Sequence, residues 1–337
     1  MIINIKTNII HYKNNFNHII RVYIYDMITP YTLSKVRLFK AILPIMIVLH
    51  HLSFFYGFPP GFARLGIPLV ACFFLMSGYG LMTSYQSKGL RYFDGFIWHI
   101  SKKLLMPYLL AIIAYIPLVL VVQRVDLTTY LSETNFLDWL RYSWFVFVIW
   151  GGYLLFYIIF RSNMTYCKKL GLYAFFSILY YIVSMSLLEG RLPWLYRTSY
   201  AIFLGFLWKY KEESILTFLK KKYVLPIVFS LSVVGFVFTV KTNDLLWNPL
   251  FSVLLFICTA YIIPLNKDYP IIKLLSKISY EYYLWQGLTI SLVIEYWHFS
   301  KMAISLCLCL SINALLSLLA HYFYNRIICQ NLEHPRV

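Results

Sequence analysis

Acidic residues are scarce in this chain: 13 Asp and Glu stand against 30 Lys and Arg, and all charged residues make up 13% of 337 positions. A soluble domain is roughly a quarter charged and about 45–50% apolar, whereas 61% of these residues are hydrophobic and the mean hydropathy is +0.69. So little charge excludes an ordinary water-exposed globule, and most of the surface must face lipid. There is no CxxC pair and no histidine at ligand spacing from a cysteine, which excludes a disulfide or metal framework. We read the six cysteines (Cys72, Cys167, Cys258, Cys307, Cys309 and Cys329) as core thiols and expect no metal. An internal repeat, a low-complexity tract and a loop long enough for a separate soluble domain are also missing. The excess of base could mark nucleic-acid binding, but the lysines and arginines fall in short segments between apolar runs, which points to an anionic membrane leaflet. No nucleic-acid partner is expected.

Long apolar runs, by contrast, are plentiful. A spanning helix needs about 20 mostly apolar residues. Suitable runs are Leu38 to Tyr56, Leu65 to Thr83, Leu104 to Val122, Trp144 to Phe160 and Leu170 to Leu188. They continue with Leu195 to Trp208, Tyr223 to Val240, Leu246 to Pro264, Ile278 to Trp297 and Met302 to Ile327. The sixth is the weakest, being short with Arg197 at its start. The expected fold is therefore all-α: a polytopic transmembrane helical bundle of about ten spans with both termini cytoplasmic. In that orientation 23 Lys and Arg fall inside and seven outside (Arg64, Arg124, Arg141, Arg191, Arg197, Lys241 and Lys301), the asymmetry the positive-inside rule requires. Residues 1–35 read as a basic cytoplasmic tail, 36–328 as the membrane domain and 329–337 as a short cytoplasmic tail. Lys6, Lys13, Asn14, Asn15 and Arg21 interrupt every apolar stretch before residue 37, so no signal-peptide core forms, and Met1 and Met27 both stand as start points.

Ionisable residues inside a membrane segment are costly and mark functional sites by default. His50 and His51 lie in the first apolar run; Lys40 stands eleven residues before His51, and Arg37 three residues before Lys40. Eleven residues rise about 16 Å along a helix and make close to three turns, so Lys40 and His51 share a face. Such an arrangement suits a ligand with a phosphorylated head at the cytoplasmic edge and a thin arm reaching into the bilayer, the shape of an acyl-coenzyme A. The alternative is that Arg37 and Lys40 are positive-inside anchors and the histidines hydrogen-bond neighbouring helices.

"VRLFKAILPIMIVLHHLSFF" is similar to the opening helix of the integral-membrane acyltransferase family 3, which includes glycan O-acetyltransferases. In that family one or two basic residues at the cytoplasmic end precede a histidine by eleven positions. "GIPLVACFFLMSGYGLMTSY" resembles the family's second helix, an aromatic pair leading into Ser77, Gly78 and Tyr79. "SKKLLMPYLLA", "SWFVFVIWGGYLLFY" and "ISYEYYLWQG" resemble three further segments, so the likeness covers most of residues 36–327. The chain departs from it at Lys40, where arginine is usual, at Gln286, where many members have histidine, and at His321 and Asn325, where many close the last helix with glutamate.

The resemblance implies transfer of an acyl group, acetyl by the family's habit, from cytoplasmic acyl-CoA to a hydroxyl of a cell-surface glycan or lipid-linked sugar. Lys102 and Lys103 would join Arg37 and Lys40 in holding the coenzyme A phosphates. His51 would be the general base, Glu281 its orienting carboxylate, and Ser77 and Tyr283 donors to the reacting oxygen. His50, Tyr79, Trp144, Ser279 and Gln286 would contact the acceptor. Tyr153 and Trp285 are further stacking candidates, although aromatics form 20% of the chain and interfacial belts use them too. Membrane lipid is the expected surrounding. The rival reading is a transporter or glycan exporter with His51 and Glu281 on a proton path, which calls for matched broken helices in two halves; the sequence offers no such pair.

Overall fold

The computed structural model describes residues 28–57, 63–124, 126–133, 139–188, 192–242, 247–265, 267–299 and 301–329, and among these no strand occurs. Most of the expected N-terminal tail and the last eight residues lie outside them.

The first helix, α1 (Leu33–Tyr56), rises from an extended residue, Thr32, and stops at Gly57, whose φ of 62° is the left-handed conformation that ends helices. It is followed by α2 (Gly66–Lys88), a 3₁₀ turn (Gly89–Phe93), α3 (Phe96–Gln123) and the short α4 (Leu127–Glu133). Next come α5 (Phe145–Phe160), α6 (Tyr166–Leu187), α7 (Trp194–Arg197), α8 (Tyr200–Tyr210), α9 (Glu212–Leu219), α10 (Val224–Thr242) and α11 (Trp247–Ile262). The chain closes with α12 (Pro270–Lys277), α13 (Ser279–Ile290), which continues as a π-turn over Ser291–Tyr296, and α14 (Met302–Phe323), which ends in a second π-turn over Tyr324–Cys329. Prolines inside helices, Pro44 in α1 and Pro107 and Pro117 in α3, are tolerated in membrane helices because neighbours re-satisfy the freed backbone groups.

Six of the ten expected segments, those of α1, α2, α3, α6, α10 and α14, are long and apolar enough to cross a bilayer. Two more, α5 and α11, are apolar helices of 16 residues each, about 24 Å long against a hydrocarbon core of about 30 Å. The sixth expected segment is broken at Thr198–Ser199 between α7 and α8, and the ninth changes pitch at Ser291.

Burial orders the helices from the centre outwards. In the apolar window of α2, 61% of residues are buried and in that of α1 50%, against 17% in α6 and 22% in α10 and α14. The exposed faces of those outer helices are apolar: Phe175, Ile178 and Ile182 on α6, Leu231 and Val234 on α10, Leu315 and Leu319 on α14. This is the inverse of a soluble bundle and the arrangement lipid requires. At the centre, α2 crosses α8 where two glycines meet. A Cβ on Gly205 would stand 2.7 Å from the Tyr79 amide nitrogen, and one on Gly78 would run into the Ile202 carbonyl, so only glycine at both positions permits this approach.

Buried cations tie helix ends together. Lys35, fully buried, donates to the carbonyls of Ala260 (2.7 Å) and Thr29 (3.0 Å) and to the Thr29 hydroxyl (2.7 Å). The folded body therefore begins before residue 36, with Ile28 and Tyr31 also buried. Lys169 donates to Tyr85 Oη and the Phe160 carbonyl, both at 2.9 Å. At the opposite end Arg64 donates to the carbonyls of Val240 (2.7 Å) and Lys241 (2.6 Å), the last orphan acceptors of α10. The expectation that all six cysteines are core thiols holds for Cys72, Cys258 and Cys309. It fails for Cys167 and Cys307, which are exposed on outward helix faces, while the Cys329 side chain is outside the described set.

Candidate active site

Two cavities enter the bundle from opposite ends. The larger, about 690 Å³, opens among Lys40 of α1, His99, Lys102 and Lys103 of α3, and Lys277. Its inner wall carries Ser77, Tyr153, Ser279, Glu281, His321 and Asn325. Two tyrosines fix the lysine-bearing turn of α3: Tyr324 Oη donates to the Lys102 carbonyl (2.9 Å) and Tyr280 Oη to the Leu104 carbonyl (2.6 Å). Pro107, inside the same helix, has no N–H to give the Lys103 carbonyl four residues back. The second cavity, about 440 Å³, is lined by His50 and His51 of α1, Arg64, Arg141, Tyr142, Trp144 and Trp194. A third hollow of about 350 Å³ beside α5 and α6 has no charged group or histidine in its lining.

Val70 and Tyr283 line both main cavities. The Tyr283 ring is held by Phe145, with centroids 4.0 Å apart, and meets Phe73 edge-on at 6.0 Å. The lysine cavity and the histidine cavity thus back onto a wall that includes these two side chains, and Lys40 and His51, on one helix, line different cavities.

His51 stacks on Tyr142 at 3.7 Å with an interplanar angle of 15°. Tyr142 has φ 69°, a left-handed conformation that costs an aromatic residue on the order of 1–3 kcal/mol and collects at functional sites. Beside it, Arg141 lies 5.1 Å over the Tyr142 ring, pairs with Glu295 and reaches Ser291 Oγ at 3.4 Å. His50 points elsewhere: a Cβ added to Gly66 would land on its ring, so His50 fills the gap between α1 and the start of α2 while still edging the cavity.

Several expected assignments are redirected. Glu281 does not meet His51; it accepts a hydrogen bond from His321 Nδ1 at 2.8 Å inside the lysine cavity. Arg37 leaves the phosphate cradle to pair with Asp268. Tyr79 faces away from both cavities and donates to Glu212 Oε1 at 2.8 Å. Gln286 lines neither cavity; it is fully buried, and both its amide atoms are without a partner among the described residues. Lys40, Lys102, Lys103, Ser77, Ser279 and Tyr283 do share the lysine cavity, and His50, His51 and Trp144 the other. Sequence reasoning missed His99, Lys277, Arg141, Tyr142 and His321 as site residues. The legible signal for Arg141 was its place among the few basic residues on the sparsely charged side.

The acyltransferase domain signature matches residues 33–322, a stretch that includes the lining of the histidine cavity and, apart from Tyr324 and Asn325, that of the lysine cavity. The chain belongs to acyltransferase family 3. It is a multi-pass membrane acyltransferase, and no curated protein and no solved structure matches it. The motif residues Ser77, Gly78 and Tyr79 face three ways: into the lysine cavity, into the α8 crossing, and toward Glu212.

Proposed function

We propose that the protein moves an acyl group, acetyl in the simplest case, from acyl-CoA in the lysine cavity to a hydroxyl of a cell-envelope glycan or lipid-linked sugar in the histidine cavity. His51 acts as the general base. The single observation that carries this reading is the pair of cavities sharing Val70 and Tyr283. Coenzyme A is a long, thin, polyanionic carrier, and a cavity lined by four lysines and by Tyr283 suits phosphates at the lysines and a thioester at the tyrosine. Lysine binds phosphate as a point charge without a fixed fork, which suits a mouth where phosphates are held loosely. On the other side, Trp144, Trp194 and Tyr142 present flat faces suited to a sugar ring.

The acceptor hydroxyl gives its proton to His51, its oxygen attacks the thioester carbonyl at the wall, and the C–S bond breaks with the thiolate on the lysine side. The Tyr283 hydroxyl and Ser77 are the donors available to the developing oxyanion. Membership of this family favours transfer chemistry over an exporter. Changing Lys40, Lys102 and Lys103 together to glutamine is expected to weaken acyl-CoA binding about tenfold or more, since charged hydrogen bonds contribute about 1.5–3 kcal/mol each when desolvated and less at an exposed mouth. Calorimetry on the detergent-purified chain measures this, and unchanged affinity would place the coenzyme elsewhere.

In the proposed orientation the lysine end is cytoplasmic, the four shorter segments also traverse the bilayer, and the host is the cell's plasma or inner membrane. Reporter fusions after Lys88, Lys169, Lys222 and Lys277 should then register cytoplasm, and fusions after Glu133 and Asp244 the outside. Reversed signals at two or more of these sites defeat the ten-pass arrangement.

A further inference from the structure

We propose that His321, paired with Glu281, is a second catalytic residue: the acid that protonates the departing coenzyme A thiolate. The inference rests on the donor assignment above and goes beyond it in giving the lysine cavity chemistry of its own. Three observations support it. First, His321 on α14 and Glu281 on α13 are joined at 2.8 Å and both line the cavity where the thiolate is left. Second, the carboxylate only accepts hydrogen bonds, so Nδ1 carries the shared hydrogen and Nε2 is the ring nitrogen left to hand a proton to the cavity. Third, the wall at Val70 and Tyr283 keeps His51 on the other side, so the proton His51 takes from the acceptor is not at hand for the sulfur.

Two helices supply the pair, and its geometry is supported from behind. Asn325 Nδ2 donates to the His321 carbonyl at 3.0 Å, and Asn313 Nδ2 to the Tyr282 carbonyl at 2.8 Å, tying α14 to α13 one residue from Glu281. The step balances as follows. The acceptor O–H proton passes to His51, the new C–O bond forms, and the C–S electron pair goes to sulfur. Sulfur takes the Nε2 proton of His321, leaving ester, coenzyme A thiol, protonated His51 and neutral His321. His51 then releases its proton to water in its own cavity and His321 regains one from water in the lysine cavity.

The test uses permeabilised membrane vesicles from cells making the full chain, with labelled acetyl-CoA as the probe. Label transferred to membrane material and free thiol are measured together against vesicles lacking the chain. His321→Asn keeps a hydrogen-bonding side chain beside Glu281 but cannot transfer a proton. It should lower turnover by roughly 10²-fold while the KM for acetyl-CoA changes less than about threefold. His321→Ala should lose as much and regain part of its rate when free imidazole is added. A merely structural link between α13 and α14 predicts the opposite: near-normal turnover in His321→Asn and no response to imidazole in His321→Ala, and either result overturns the proposal. Full turnover in His51→Ala alongside loss in His321→Asn would remove the base assignment and leave the donor-side acid standing.

Discussion

Replacing His51 by alanine is expected to lower acyl transfer by roughly 10²–10⁴-fold, the usual contribution of a general base, with little change in the amount of folded protein. The structural cost is small by comparison. The variant loses one stacked contact with Tyr142, worth about 0.5–1.5 kcal/mol, and alanine is a strong helix former. His50→Ala is the informative partner, because its ring is spent packing against Gly66. It should lose less than about tenfold in transfer and more in thermal stability. The comparison is label moved from acyl-CoA into membrane material at equal protein level, together with the unfolding midpoint of each purified variant. Near-normal transfer in His51→Ala would end its assignment as base, whatever the His50 result.

The second large effect is on assembly. Gly78→Leu should prevent the bundle from forming, because the new Cβ meets the Ile202 carbonyl and lies 3.2 Å from the Gly205 Cα. Neither is a side chain that can swing aside, so the cost exceeds the 1–3 kcal/mol typical of overpacking. Gly80→Leu, two residues on, has nothing within 4 Å and projects outward, so it should be accepted. Yield of monodisperse protein after detergent extraction separates the two. Equal yields would mean that α2 and α8 do not cross as described.

The same glycine shows what was readable in advance. Helix positions were legible because a membrane span is a matter of length and hydropathy: the expected run Tyr223 to Val240 is found as Val224–Thr242, and Met302 to Ile327 as Met302–Phe323 plus a π-turn. Spacing along one helix was legible too, so Lys40 and His51 were singled out together, although they line different cavities. What one sequence does not encode is how each helix is rotated against its neighbours. Glu281 was expected at His51 and instead faces His321; Arg37 was expected beside Lys40 and instead turns to Asp268. Tyr79 followed Ser77 in one motif, yet two positions differ by about 200° around a helix, and the structure sends it to Glu212. The break in the sixth segment was foreshadowed by Arg197, but the turn at Thr198–Ser199 depends on α7 and α8 packing separately.

The wall formed by Val70 and Tyr283 has an electrical consequence. Two hydrated cavities joined end to end would be a pore, and a tyrosine clamped by Phe145 and Phe73 keeps them apart. Under the proposed chemistry each turnover releases one proton on the histidine side and consumes one on the lysine side, and because the C–S electron pair stays with the sulfur the group that crosses is formally an acyl cation. One elementary charge is therefore displaced outward per ester made, against a membrane potential that is negative inside. At about 2.3 kcal/mol per 100 mV, an energised membrane takes back part of the free energy of the thioester. With that chemistry, the rate of ester formation would fall as the membrane becomes more strongly polarised.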